Sequence, residues 1–223
     1  MNTHAEAVLP AAHPASLSET GPRFILYGVS WATYERLLAD FADSHAAHFA
    51  YDQGALEIMA PSFQHEEINR LIATLFEVIA AEMDIDCVNA GSTTFKRVDL
   101  ARGFEPDTCF YMRNNAACVR GKEEIDLAVD PPPDLVIEID ITSPSLNKLP
   151  IYAAVGVPEV WRYDRQRVAI FTLAGEVYNE REESMVLPRL TGAVISSFLA
   201  ESKTLQRPAW LRKLREWGRK QDA

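Results

Sequence analysis

The sequence contains few cysteines, and the three present, Cys87, Cys109 and Cys118, form no CxxC pair. Their odd number and wide spacing are typical of a reducing compartment rather than of a secreted domain held by disulfides. No apolar run approaches the roughly 18 residues that a membrane span needs. The first residues also lack the basic stretch and apolar stretch of a signal peptide. We therefore expect a cytoplasmic protein with no membrane partner.

Common catalytic motifs are missing as well. The sequence has no P-loop, no GxSxG nucleophile elbow and no Rossmann glycine pattern. The segment HEEIN at 65–69 is not a zinc-protease motif, because HExxH requires histidine where this chain has Asn69. Any chemistry must therefore come from side chains outside these motifs.

Positive charge is scarce overall, since the formal net charge is −10 at pH 7. Such a balance disfavours broad, nonspecific binding to nucleic acid. The charge is uneven, however, because seven basic residues and one acidic residue within 203–220 give +6 and leave −16 for the remainder. This basic segment could contact phosphates, or it could be a solvated helix face that complements an acidic body.

The length of 223 residues fits one domain with extensions. Residues 1–22 are rich in Ala, Pro, Ser, Thr and His without periodicity, which predicts a disordered tail. We expect a single domain over 23–200 and a basic amphipathic helix over 201–223. An apolar stripe on that helix could cover the sheet or be buried in a second subunit. The stripe consists of Trp210, Leu211, Leu214 and Trp217.

Hydrophobic periodicity predicts the elements of the domain. The strongest signal is a long helix over 65–83, whose apolar residues recur at i, i+3 and i+4 and which carries His65 on its inward face. A short helix capped by Ser30 and a hairpin around the DQGA turn precede it. Strands are predicted at 91–98, 107–112, 134–140, 160–164, 167–173 and 176–180, with a short helix at 150–156. The order predicts a mixed α+β or α/β fold, with a central mixed sheet flanked by helices and an N-terminal helix-hairpin extension.

The predicted strand DLVIEID at 134–140 places two carboxylates on one face. Its apolar face consists of Leu135, Ile137, Ile139 and Ile141. Glu138 and Asp140 project from the other face, roughly 7 Å apart along the strand. Asp107 begins another predicted strand, so it can converge with Glu138 if the two strands are neighbours.

Carboxylates that lie so close repel one another unless one is protonated or a cation neutralises them. A hard divalent cation such as Mg²⁺ prefers carboxylate oxygens and would meet this need. Alternatively, Glu138 and Asp140 could face solvent on an edge strand or pair with arginine and lysine. A third possibility is a buried ion-pair network whose only role is structural.

Four segments together resemble the Uma2 family of endonucleases. They are EPD at 105–107, PDLVIEIDITSPS at 133–145, LNK at 146–148 and YAAVGVPEVWRYD at 152–164. The resemblance covers roughly residues 30 to 195. That family belongs to the PD-(D/E)XK, restriction-endonuclease-like superfamily.

The resemblance implies a metal-dependent phosphodiesterase core that acts on nucleic acid, in the first place DNA. It implies that Asp107 and Glu138 ligate Mg²⁺ or Mn²⁺, together with the Ile139 carbonyl. It further implies a lysine that orients or deprotonates the attacking water and helps to neutralise the transition state. A homodimer would provide two such sites for cutting two strands.

The sequence departs from the superfamily pattern at one position. The lysine expected two residues after Glu138 is Asp140, and an acid cannot supply positive charge to a phosphate. We expect Lys148 to replace it, because Lys148 lies in the family's own pattern, and Lys96 is the second candidate. Absence of a catalytic lysine also remains open, and Asp140 could be a third metal ligand.

His65 is open to two interpretations, a satisfied core or capping residue and a residue of the site. Our first hypothesis is a Mg²⁺-dependent endonuclease that hydrolyses DNA. The alternative is a catalytically impaired protein of nuclease fold that serves as a nucleic-acid-binding or assembly module.

Overall fold

The computed structural model describes residues 21–42, 47–141 and 145–221. The tail predicted at 1–22 lies outside this part of the chain except for its last two residues, and Thr142 also lies outside it. The strands are β1 Arg23–Leu26, β2 His48–Asp52, β3 Ala55–Met59, β4 Cys87–Gly91, β5 Phe95–Arg97, β6 Arg102–Phe104, β7 Thr108–Met112, β8 Leu135–Ile139, β9 Glu159–Tyr163, β10 Val168–Ala174 and β11 Val177–Arg181. The helices are α1 Trp31–Asp40, α2 Phe63–Glu82, α3 Arg113–Val119, α4 Leu149–Val155, α5 Gly192–Ser202 and α6 Arg207–Gln221.

The strands form two sheets. The larger, six-stranded sheet has the order β11-β10-β9-β8-β7-β4, and its pairs are antiparallel except for β8 with β9. Helix α4 connects these two parallel strands, as a crossover connection requires. This arrangement confirms the predicted mixed α/β fold with a central mixed sheet, consistent with a restriction-endonuclease-like core.

The smaller, five-stranded sheet is antiparallel with the order β1-β3-β2-β6-β5. The sequence predicted its central hairpin, β2 and β3, and included β5 in the longer strand expected at 91–98. Strand β1 was not predicted, because its four residues are too few for periodicity to be recognised. The hairpin is therefore part of a sheet rather than a separate extension.

The two faces of the six-stranded sheet have different coverings, because side chains alternate along each strand. One face packs Ile137, Ile139 and Trp161 against helices α2, α5 and α6. On the opposite face, Val136 and Val160 pack against α4 and against residues of the five-stranded sheet. Glu138 shares the parity of Val136, so it points toward the second face, where the two sheets meet.

Helix α2 has the inward stripe that its periodicity predicts. Ser62 caps the helix by accepting a hydrogen bond from the His65 backbone N–H at 3.2 Å. Ile72 and Phe76 on the stripe are fully buried against the six-stranded sheet, and His65 is buried one turn into the helix. The cap and the stripe together fix where the first turn of α2 lies relative to β7 and β8.

Two local predictions were wrong. The segment 91–98 is not one strand, because β4 ends at Gly91 and the chain turns before β5 begins at Phe95. Helix α3, which follows β7, was not predicted, because its seven residues bury only Ala116 and Val119 and so give little periodic signal. Strand β8 ends at Ile139, which leaves Asp140 beyond the strand.

The apolar stripe of α6 packs within the same chain. Trp210 and Leu214 are almost fully buried in the cluster that contains α2 and α5. The Trp210 indole donates a hydrogen bond to the Phe198 carbonyl at 2.8 Å. In the described residues the stripe is covered mainly by helices α2 and α5 of the same chain, whereas the sequence analysis considered the sheet or a second subunit. No helix in this part of the chain combines the length and apolarity needed to cross a membrane.

Candidate active site

The site is built around Asp107, which lies where the chain passes from the five-stranded to the six-stranded sheet. The antiparallel register pairs Thr108 with Ile137 and so places Asp107 across from Glu138. The Asp107 side chain is 1% exposed, and its Oδ2 accepts a hydrogen bond from the Ile139 backbone N–H at 2.6 Å. The two acids are brought together as the strand pattern predicted. Ile139, whose carbonyl is the predicted third ligand, contacts Asp107 through its N–H.

Helix α4 delivers two hydrogen-bond donors to Glu138. The Lys148 ammonium lies 2.7 Å from Glu138 Oε2, and the Tyr152 hydroxyl donates to Oε1. Lys148 and Tyr152 are four residues apart at the start of the helix, so they lie on one face. Both oxygens of this buried carboxylate are therefore occupied by side chains from α4.

Glu57 is a site residue that the sequence analysis missed. It lies in the middle of β3, is 1% exposed, and its Oε1 is 3.6 Å from the Lys148 ammonium. Its Oε2 accepts a hydrogen bond from the Leu146 backbone N–H at 2.7 Å. The available signal was a carboxylate inside the apolar LEIM stretch of a hairpin strand, the same signal that identified Glu138.

Two histidines flank Asp107. His65 Nε2 is 3.2 Å from Asp107 Oδ2, and His48 Nδ1 is 3.5 Å from Oδ1. Neither pair is aligned as a hydrogen bond, so the contacts are electrostatic. The Asn69 side chain donates to the Asp107 backbone carbonyl at 2.9 Å. The first turns of α2 thus place His65 at the site and bind the Asp107 backbone through Asn69. His48 was not predicted as a site residue.

The structure does not bring Lys96 to these acids. Lys96 lies exposed on β5, an edge strand of the smaller sheet, and makes no ion pair with Asp107 or Glu138. Asp140 follows the end of β8 and is about one-third exposed. It accepts hydrogen bonds from Arg23 at 3.3 Å and from the Ser145 hydroxyl at 3.2 Å.

Acids outnumber cations at this site, and the pKa values reflect it. Burial acts to lower the pKa of Lys148, but the charges on Glu138, Asp107 and Glu57 raise it above its ordinary value. Burial raises the pKa of Glu138 although Lys148 opposes the shift. Burial also acts to raise the pKa of Asp107, but His48 and His65 outweigh it and hold the pKa below its usual range. The two acids are thus shifted apart, as expected for close carboxylates that lack a further cation.

The donor set suits a hard divalent cation. No group of three or more His, Cys, Asp or Glu side chains in the described ranges is arranged to hold a metal. Mg²⁺, however, usually keeps several waters and binds one or two carboxylates together with substrate phosphates. Asp107 Oδ1 is buried and lacks a hydrogen-bond partner among these residues, which leaves a carboxylate oxygen for such an ion. Asp107 therefore has one oxygen for a cation that is completed by water and substrate, and Glu138 would bind the same cation through the lone pairs that Lys148 and Tyr152 leave.

A cavity opens beside Glu138 and Lys148. It has a volume of about 230 Å³ and extends from Tyr152 toward Arg23 and Arg162. Glu138 is therefore adjacent to an open space rather than enclosed by the core.

The mixed six-stranded sheet flanked by helices, with Glu138 and Lys148 beside an open cavity, is consistent with the restriction-endonuclease-like class of folds. The sequence model of the Uma2 family, described as "Putative restriction endonuclease", matches residues 31–199. The chain belongs to the Uma2 family. No curated protein matches the sequence.

Proposed function

We propose that this chain is a metal-dependent endonuclease that hydrolyses phosphodiester bonds of DNA. One observation carries the proposal: Asp107 and Glu138 face each other across β7 and β8, with the Lys148 ammonium 2.7 Å from Glu138. Acids can hold a divalent ion that polarises a phosphoryl oxygen and activates water, and a nearby ammonium adds positive charge for the transition state. The family description, which names a restriction endonuclease, supports the same reaction class.

Asp107 and Glu138 would hold Mg²⁺ or Mn²⁺, with the Ile139 carbonyl as a further ligand. When bound, the ion supplies Lewis acidity that polarises the scissile phosphate and offsets its charge. Lys148 contributes a fixed positive charge at the same place, which favours the additional negative charge of the transition state. Tyr152 and Glu57 hold Lys148 and Glu138 in this arrangement through the contacts described above.

The test is a nicking assay on supercoiled DNA with Mg²⁺ or Mn²⁺ and with a chelator. We expect cleavage only with metal, and its loss in Asp107→Asn and Glu138→Gln, which change charge with little change of volume. Glu176→Gln removes an exposed acid between β10 and β11 and is the matched control. Full activity in both site variants would show that the assignment is wrong.

The alternative is a nuclease-fold module that binds nucleic acid or assembles without cutting it. It is favoured by Asp140, which occupies the position of the superfamily lysine, and by the net charge of −10. Calorimetric titration with Mg²⁺ and Mn²⁺ separates the two functions. Metal binding that disappears in Asp107→Asn supports the enzyme, whereas no binding in the unmodified protein supports the module.

The proposal includes a cytoplasmic homodimer, in which two sites would serve the two strands of a duplex. Sedimentation at several protein concentrations tests the assembly. A monomer at every concentration that supports cleavage would restrict the enzyme to cutting one strand at a time.

A further inference from the structure

Arg23 reaches the candidate active site from a different sheet. It begins β1 at the edge of the five-stranded sheet, yet its side chain is only 4% exposed. One guanidinium nitrogen is 3.3 Å from Asp140 Oδ1 and 3.7 Å from Glu57 Oε2. Its Nε is buried and has no hydrogen-bond partner among the described residues. The Arg23 guanidinium therefore has a buried N–H donor without an acceptor among these residues. Such a donor costs free energy unless a ligand accepts its hydrogen bond.

Arg162 approaches the same cavity from the six-stranded sheet. It lies on β9 beside Glu138 in the parallel register, and its guanidinium lies over the Phe171 ring at 5.0 Å. Within the described residues it makes no ion pair with an acid. Stacking on an aromatic ring holds an arginine in place while its N–H groups remain available.

The cavity holds cations that are not all matched by acids of their own. Three cations line it, Arg23, Lys148 and Arg162, together with two acids, Glu138 and Asp140. Glu57 lies within 3.7 Å of Arg23 and 3.6 Å of Lys148, so among the described residues Arg162 is the lining cation without an ion pair. The cavity volume of about 230 Å³ also far exceeds the space for one water, about 10–15 Å³. The cavity is thus suited to an anionic group larger than water.

We propose that Arg23 and Arg162 bind a backbone phosphate adjacent to the one that is cut, and that Asp140 is the positioning residue that holds Arg23. The inference rests on the proposed function, because it names a second contact of the same substrate. The inference also assigns a role to Asp140. This acid follows the end of β8 and would orient Arg23, which begins β1. A purely structural Arg23–Asp140 ion pair is the competing explanation.

The experiment measures binding of a short fluorescein-labelled DNA duplex by fluorescence anisotropy, with chelator present so that nothing is cut. Each lost phosphate contact should reduce the slope of log affinity against log salt by about 0.9. We expect that reduction for Arg23→Gln and Arg162→Gln, with affinity about tenfold weaker at fixed salt. Arg181→Gln removes an exposed arginine on β11, three strands away from β8, and should change neither quantity.

Asp140 distinguishes positioning from simple charge. If it positions Arg23, Asp140→Ala should weaken binding and lower the salt slope as Arg23→Gln does, whereas Asp140→Asn, which keeps an acceptor oxygen, should retain most of both. If it only repels phosphate, both variants should bind more tightly with an unchanged slope. The second result would overturn the assignment of Asp140, and an Arg23→Gln variant that behaves like Arg181→Gln would overturn that of Arg23.

Two further arms keep the test decisive. If Arg23→Gln does not fold, as its melting curve would show, Arg162→Gln carries the comparison, and Arg23→Lys should keep the salt slope while weakening binding because it loses the planar fork of donors. Inorganic phosphate is then added as a competitor to the unmodified protein. If the site accepts any phosphate group, inorganic phosphate should displace the DNA, and if it requires the DNA backbone, inorganic phosphate should not.

A protein that cuts DNA while its arginine variants bind normally refutes only this inference. A protein that never cuts, but whose arginine variants lose binding, refutes the proposed function alone.

Discussion

The ammonium of Lys148 lies 2.7 Å from the carboxylate of Glu138, although the two residues are ten positions apart. The superfamily pattern has its lysine two positions after this acid, where the present chain has Asp140. Strand β8 and the start of α4 meet in space, so a cation contributed by the helix reaches the acid on the strand. What matters for chemistry is the location of the charge rather than the chain position that supplies it.

Lys148→Met should therefore abolish most of the cleavage activity that we propose. Loss of one electrostatic stabiliser typically lowers a rate constant about 10²–10³-fold. Lys96→Met is the matched control, because Lys96 is exposed on β5 and makes no ion pair with Asp107 or Glu138. A nicking assay with both variants decides between the lysines. Normal activity in Lys148→Met with loss in Lys96→Met would reverse the assignment.

Tyr152→Phe should destabilise the fold as well as the site. The hydroxyl donates to the buried Glu138 carboxylate, and a hydrogen bond to a charged group contributes about 1.5–3 kcal/mol. Tyr178→Phe is the comparison, since its hydroxyl donates to the neutral Val157 carbonyl and should cost about 0.5–1.5 kcal/mol. Urea unfolding of the two variants measures both free energies. Equal losses would indicate that Glu138 is not charged in the absence of metal.

Much of the site could be predicted because its central residues belong to regular elements. Strand alternation placed Glu138 on a defined face, and the position of Asp107 at a strand start allowed the two acids to converge. Helical periodicity placed His65 on the inward side of α2, where it lies 3.2 Å from Asp107. These inferences required only the knowledge of which side chains share one face of a strand or helix. The local sequence determines that pattern.

The rest depended on contacts between distant segments. Arg23 and Asp140 are 117 positions apart, and Glu57 and Leu146 are 89 apart. Their pairing follows from the way β1 joins β3 and the smaller sheet packs against α4, and no local pattern encodes that geometry. His48 was missed for the same reason, because its neighbour Asp107 comes from the connection between the sheets.

Trp210→Ala tests whether α6 belongs to the core of the single chain. The indole is 1% exposed, and truncating such a residue typically costs about 3–5 kcal/mol. Because its contacts are intramolecular, the size of the loss should not depend on protein concentration, even if dimerisation makes the urea midpoint of the unmodified protein depend on it. Trp217→Ala, on the partly buried edge of the same helix, should cost less. A loss that grows on dilution would place Trp210 in an interface between subunits.

Glu159 provides a prediction about pH that is independent of the candidate active site. This acid is 0% exposed at the start of β9 and accepts hydrogen bonds from Trp161, Ser184 and the Met185 backbone N–H. Burial raises the pKa of Glu159 above its ordinary value, although these hydrogen bonds oppose the shift. The folded state therefore retains a proton at pH values where the unfolded chain has released it.

The sign of the effect on stability follows from linkage. When the folded state binds more protons than the unfolded state, the free energy of unfolding falls as pH rises. The contribution of Glu159 is thus greatest below its unfolded pKa, about 4.3, and declines until pH passes the raised folded pKa. Glu159→Gln cannot titrate, so the stability of the unmodified protein relative to this variant should fall through that window in urea unfolding. Glu176→Gln, at an exposed position, should show no such trend, and a difference that rises with pH would contradict the assignment.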